Sequence, residues 1–229
     1  MREIVLDTET TGLDPATGDR LVEIACVEIV NLVPTGASFH SYVDPQRSVP
    51  AEAFRIHGLS TEFLKGKPLF ASVHQEFLEF IGESRLIIHN AEFDMKFINA
   101  ELARAGAPAL SFDRVFDTLL FARKKHPGAS NSLDALCARY RIDNSKRSKH
   151  GALLDSEILA ELYTELMGGR QTTLTLAETP KIRAAAMSKK ATPRTAPLRG
   201  DLSPAEYERH REFVTSIGEK ALWSKYLAG

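Results

Sequence analysis

Apolar and polar positions along the chain fall into blocks of two different periods. Ile4-Val5-Leu6 is a continuous run of β-favouring residues that passes into Asp7-Thr8-Glu9-Thr10-Thr11-Gly12, a hydroxyl-rich stretch closed by glycine. That combination predicts a strand delivering polar side chains at its end. Residues 21–30 alternate and predict a second strand; after a break at residues 31–36, residues 38–43 predict a third. No period holds over residues 49–60, where Glu52, Phe54, His57 and Gly58 stand among turn formers, so an irregular loop is expected there, entering a short helix near Thr61. Val73, Phe77, Phe80 and Ile81 recur at helical spacing within residues 69–81. Residues 85–89 form a compact strand ending on Asn90, which reads as the N-cap of a helix from about Ala91 to Arg104. Val115-Phe116 precede a helix over residues 117–125, another starts near Ser132, and a last one spans residues 152–167 before Gly168-Gly169. Strands come first and helices dominate later, which predicts an α/β domain over residues 1–169.

The remainder differs in kind. Residues 1–169 hold 18 basic and 24 acidic side chains, whereas residues 170–229 hold 11 basic and 6 acidic. Between Thr179 and Gly200 there are six basic residues, three prolines and no acid. Such a composition cannot bury a core, so this stretch is expected to be a flexible basic linker within residues 170–201. Residues 202–229 regain apolar content behind a Ser203-Pro204-Ala205-Glu206 helix start, and they read as a segment that docks on a partner. The two cysteines, Cys26 and Cys137, each lie in an apolar run and are expected to be buried reduced thiols. No apolar run approaches membrane-spanning length, and the N-terminus lacks a signal-peptide layout, so a cytoplasmic location away from membranes is expected.

Candidate chemistry begins with Asp7 and Glu9. Side chains two apart on a strand share a face, so these like charges are held together. Taken alone, the pair is either a solvated strand end or half of a hard-cation site. Asp94 and Asp155 each fall in the first turn of an expected helix, and His150 stands five residues before Asp155. If the strand end and the helix starts converge, the four acids could hold two divalent ions about 3.5–4 Å apart. In such a site His150 would accept a proton near neutral pH. The basic loop containing Lys146, Arg147 and Lys149 is either a solvated connection or a contact for a phosphate backbone.

Three phrases make the pattern more specific. Asp7-Thr8-Glu9, within DTETTGL, resembles the first motif of the DnaQ-like 3′–5′ exonucleases of the DEDDh type. His89-Asn90-Ala91-Glu92-Phe93-Asp94 resembles the second, and His150-Gly151-Ala152-Leu153-Leu154-Asp155 the third. The resemblance runs from about Arg2 to Gly169 and is strongest to the branch that proofreads for a bacterial replicative polymerase. It implies a ribonuclease H-like fold, a mixed sheet flanked by helices. By the same resemblance Asp7, Glu9, Asp94 and Asp155 are metal ligands for two Mg²⁺ or Mn²⁺ ions, and His150 is the general base. Glu52 and His57 join Asp7, Glu9 and Asp155 in contacting the substrate, a DNA 3′ end, with Thr10 and Leu13 near its terminal nucleotide. In the tail, Gln171, Leu174 and Leu176 match the anchors of a sliding-clamp peptide. Trp223 is the expected apolar anchor on the polymerase catalytic subunit, and a small accessory subunit is a further expected partner. Two other readings stay open on sequence: a stand-alone exonuclease trimming RNA or DNA ends, and a binding module without turnover.

Overall fold

The computed structural model describes residues 1–145, 147, 149–168 and 203–218, which fall into two units divided between residues 174 and 175. The first unit is built on five strands, β1 (Arg2–Thr10), β2 (Leu21–Val30), β3 (Val33–Tyr42), β4 (Arg85–Ile88) and β5 (Val115–Asp117), and seven helices. The helices are α1 (Ala51–His57), α2 (Thr61–Leu64), α3 (Phe70–Ile81), α4 (Ala91–Arg104), α5 (Thr118–Lys125), α6 (Leu133–Tyr140) and α7 (Ala152–Leu166). The strands lie in the order β3-β2-β1-β4-β5. β1–β2 and β2–β3 pair antiparallel, while β1–β4 and β4–β5 pair parallel. The sheet is therefore mixed, with β1 at its centre.

Burial on both faces of β1 explains its unbroken apolar run. Ile4 and Leu6 pack on one face with Phe77 and Ile81 of α3 and Met95 and Ile98 of α4. Val5 packs on the other with Leu136 of α6 and Leu159 and Tyr163 of α7. Cys26 and Cys137 are buried and unpaired, one in each core layer. Burial pushes both thiols up, Cys137 to about 11. The second unit contributes α8 (Pro204–Ile217), whose start is a capping box between Ser203 and Glu206 as expected from Ser203-Pro204-Ala205-Glu206. Among the described residues no helix is long and apolar enough to cross a membrane.

Three local expectations need correction. Residues 49–60 are not irregular: α1 forms there, with Ala53 and His57 buried one turn apart and Gly58 (φ 76°) ending it. A seven-residue helix with two inward positions is too short to display a period, and tertiary contact decides it. The break at residues 31–36 is shorter than its composition suggests. Asn31 (φ 52°) and Leu32 (φ 67°) form a two-residue turn, so Val30 pairs with Val33. Pro34 and Gly36 then lie in β3, an edge strand where a missing N–H does no harm. Asn90 does precede α4, but at φ 71° it makes no side-chain cap.

Asp117 supplies the cap instead. Its Oδ2 accepts from the Ala91 N–H at 3.0 Å, and its Oδ1 accepts from the N–H groups of Leu119 and Leu120 at 2.8 and 3.0 Å. One carboxylate thus ties the starts of α4 and α5 to the end of the sheet. Asp117→Ala is expected to lose about 1–3 kcal/mol of stability in urea unfolding. Asp117→Asn, which keeps one acceptor oxygen, should lose less; equal losses would show that only one of the two caps matters.

Candidate active site

The site lies where β1 outruns its parallel neighbour. β1 pairs with β4 only over Glu3–Val5, so Asp7 to Thr10 project beyond the end of β4 while still paired with β2. Strand alternation puts Asp7 and Glu9 on the face of Val5, the face covered by α6 and α7. Thr8 points to the other face, where its hydroxyl donates to Asp94 Oδ1 at 2.7 Å, reaching the first turn of α4. Asp155 occupies the first turn of α7. Glu23 sits directly across from Glu9 on β2, and its Oε2 accepts from the Ala152 N–H at 3.2 Å, fastening the start of α7 to the sheet. His40 Nε2 lies 2.7 Å from the other Glu23 oxygen. The turn after β1 is held to α4 by Arg20, which donates to both oxygens of buried Glu101 at 2.6 and 2.9 Å. Within that turn a Cβ at Gly12 would stand 2.2 Å from the Asp19 carboxylate, so any larger residue there must push Asp19 aside.

Crowding of these acids sets the electrostatics. Asp7 is raised well above the usual carboxylate range, by burial first and then by Asp94, Glu9, Asp155 and Glu23. Glu9 is raised to about 8 by burial, Glu23, Asp155 and Asp94, against an opposing pull from Arg147. Burial raises Asp94 to about 7 despite the Thr8 hydrogen bond. Asp155 moves the other way: burial pulls it up, but contacts with His150 and Arg147 outweigh burial and hold it below its ordinary value.

These groups line a cleft of about 1260 Å³. Its walls include the residue 10–13 turn, α1, Phe93 and the loop before α6. Leu13 stands at the rim, 80% exposed. Glu52 is also at the rim, its side chain 88% exposed and 3.8 Å from Arg55. His57 is buried in the wall, and its Nδ1 accepts from the Leu59 N–H at 3.0 Å. Burial lowers its pKa against a smaller pull from the Thr10 carbonyl. The His150 N–H donates to the Ile56 carbonyl at 3.1 Å, so the last motif is anchored on α1.

The basic loop is divided. Lys149 places its Nζ 4.8 Å from the Phe54 ring centroid, whereas Arg147 turns inward onto Asp155. Lys146, Gln171, Leu174, Leu176 and Trp223 lie outside the described residues. Sequence reasoning missed Thr8, Glu23 and the wall at residues 128–132. A signal for Glu23 was present: it is a lone acid inside the apolar run Leu21-Val22-Glu23-Ile24-Ala25, and a buried acid needs partners.

Glu9, His150 and Asp155 can each place a ligand atom within 4.8 Å of the other two. Asp7 and Asp94 add further oxygen donors to the same crowd, and their raised affinity for protons marks a site short of positive charge. The donor set fits hard divalent cations. A mixed sheet whose central strand and two helix starts gather such a set is arranged for chemistry on hard divalent cations. Comparison with known proteins specifies the kind: residues 4–163 match the RNase_T family model, described as an exonuclease, and the chain belongs to that family. It is 48% identical over 224 residues to the DNA polymerase III subunit epsilon of Rickettsia felis, covering 95% of this chain and 97% of the relative. It is 44% identical over 236 residues to the same-named subunit of Escherichia coli K12, covering 97% of each. Among solved structures, the nuclease domain of 3′hExo, a DEDDh family member bound to rAMP, superposes with TM-score 0.64 at 16% identity over 73% of this chain and 92% of that one. Exonuclease X in complex with 5′ overhanging duplex DNA gives 0.56 at 24% identity over 72% and 91%. Both support the fold.

Raised carboxylates bind protons in the folded chain that they release on unfolding, so stability falls as pH rises through their folded pKa values. His57 opposes this only near and below its unfolded pKa of about 6.5. Between pH 7 and 9 in chelator, Tm is therefore expected to fall, and adding Mg²⁺ or Mn²⁺ should raise Tm most at the alkaline end. A Tm that is flat over that range with and without ions would contradict the crowding.

Proposed function

We propose that this exonuclease is the 3′–5′ proofreading subunit of a bacterial replicase, the epsilon subunit of DNA polymerase III. The observation that carries the chemistry is the convergence of Asp7, Glu9, Asp94 and Asp155 with His150 on one cleft. Similarity that extends through the tail to relatives named as that subunit supports the biological setting. In this reading the four acids hold two Mg²⁺ or Mn²⁺ ions. When bound, such ions supply a water activated at neutral pH and positive charge for the phosphorane oxygens.

The chain's own residues do the rest. His150, half exposed and 3.3 Å from Asp155 Oδ2 through its Nδ1, takes the proton of the attacking water. Asp155 keeps that imidazole in place. Glu52 and His57 on α1 meet the terminal nucleotide from the opposite wall, with Thr10 and Leu13 beside them. The products are nucleoside 5′-monophosphates. The substrate is a frayed or single-stranded DNA 3′ end. Gln171, Leu174 and Leu176 bind the beta sliding clamp, Trp223 and its segment bind the DNA polymerase III alpha subunit, and a small accessory subunit completes the assembly. The setting is the cytoplasm, at the replicating nucleoid. In this division of labour residues 1–169 cut, residues 170–201 tether, and residues 202–229 dock.

The test is release of nucleotide from a 3′-mismatched primer–template. Wild type with Mg²⁺ or Mn²⁺ should cut from the 3′ end and stop in chelator. His150→Ala is expected to be slowed by about 10²–10⁴-fold, and Asp155→Ala at least as much. A chain ending at Gly169 should still cut. Full activity in His150→Ala would remove the proton-acceptor role, and a matched RNA strand cut in preference to DNA would favour an end-trimming ribonuclease.

A further inference from the structure

Arg147 carries an interaction that the reading above leaves unused. Its Nε donates to Asp155 Oδ1 at 2.6 Å and its Nη2 to Oδ2 at 2.9 Å, so both oxygens of that carboxylate are engaged. Nη1 donates to Asp134 Oδ1 on α6 at 2.7 Å, and Nη2 lies 2.7 Å from His150 Nδ1. The Arg147 side chain is 7% exposed, that of Asp134 59%. One guanidinium thus holds a required acid and the proton acceptor together, in the two-pronged geometry that makes arginine–carboxylate pairs strong.

A divalent ion needs the same Asp155 oxygens. A guanidinium and a divalent ion on the same carboxylate would sit at contact distance and repel each other, so loading the site favours release of Arg147. Release without replacement is unfavourable, because it leaves a buried carboxylate beside Asp7, Glu9 and Asp94 with only His150 and the start of α7 to offset its charge. Release against an incoming double charge is not. Asp134, which also accepts from Asn144 Nδ2 at 3.0 Å, braces the same guanidinium in its resting position, so weakening that contact eases its release. Arg147 lines the cleft, so a guanidinium freed from Asp155 faces the space the nucleic acid strand must enter.

We infer that Arg147 is the resident counter-cation of the site, exchanged for a divalent ion at Asp155 and then used to bind a phosphodiester of the substrate strand. Ion entry would in one movement clear Asp155, uncover His150 and present a positive charge to the strand. This rests on the two-ion reading proposed above. The competing role is a fixed strut between α6 and α7.

The experiment measures Mn²⁺ binding to the full chain by the electron paramagnetic resonance of free Mn²⁺, for wild type, Arg147→Gln and Asp134→Asn. Exchange predicts that Arg147→Gln binds Mn²⁺ about tenfold tighter, the fold-change expected from losing competing charge-assisted hydrogen bonds. The same variant should melt at a lower temperature in chelator. Asp134→Asn, which leaves every group at the metal site in place, should tighten Mn²⁺ binding by less but in the same direction, and it reports even if Arg147→Gln folds poorly. In a His150→Ala background, where the strand survives, Arg147→Gln should weaken binding of an oligothymidylate with Mn²⁺ present and reduce the salt slope by about one. Without Mn²⁺ the two chains should bind it alike. Unchanged or weaker Mn²⁺ affinity in Arg147→Gln, with the lower melting temperature retained, makes Arg147 a strut and overturns the exchange. A wild type that binds no Mn²⁺ overturns the two-ion reading itself, and the exchange with it.

Discussion

Four carboxylates from three elements share a space too dry for all of them to ionise unaided. Asp7 is raised by burial and by Asp94, Glu9 and Asp155, Glu9 by burial, Glu23 and Asp155, and Asp94 by burial, with Glu23 standing behind them as a fifth acid. Much of the surrounding architecture answers this crowding. The Thr8 hydroxyl binds Asp94, the positive ends of α4 and α7 lie beneath Asp94 and Asp155, and Arg147 covers Asp155. Glu23 spends one oxygen on the start of α7 and the other on His40. Each device is partial, and the remaining deficit of positive charge is one that divalent cations would offset.

Holding like charges together requires a backbone that cannot yield. β1 provides it, being paired on both edges and covered on both faces over Ile4–Leu6 before it runs past β4. The overhang has no parallel neighbour on one side, and the cleft occupies that gap. A parallel sheet normally gathers its ligands at the carboxyl ends of its strands; here the central strand carries its acids past that edge into the binding space. The irregular register after Glu9 turns the chain from strand into the Thr10–Leu13 wall without moving either acid off its face.

Much of the fold was legible from different signals: β1 from an unbroken apolar run closed by a hydroxyl-rich turn, α3 from apolar positions at helical spacing, α4 from the residue at its start and α7 from the glycines that follow it. α1 was not, because two buried positions in seven residues look like a turn-rich loop until the rest of the domain supplies the wall they pack against. The five positions picked out by motif all line one cleft. What the linear order hid was the traffic between them. Arg147 sits in a basic run that reads as solvent-facing, and only the arrival of α7 beside α6 shows that its nearest acids are Asp155 and Asp134. Thr8 and Glu23 were equally silent, since a hydroxyl between two acids and an acid in a strand become meaningful only through partners 86 and 129 residues away.

The spread of the site along the chain also sets when in the chain's life it can exist. Asp7 lies on the first strand and Asp155 on the last helix of the domain, and α7 is sewn to the sheet by contacts at both ends: Ala152 to Glu23 near the acids, and the Tyr163 hydroxyl to Glu3 at 3.0 Å far from them. Until that helix has closed on β1, the acidic cluster lacks Asp155. A nascent or partly unfolded chain therefore has no assembled cleft, and the four acids come together only in the finished domain.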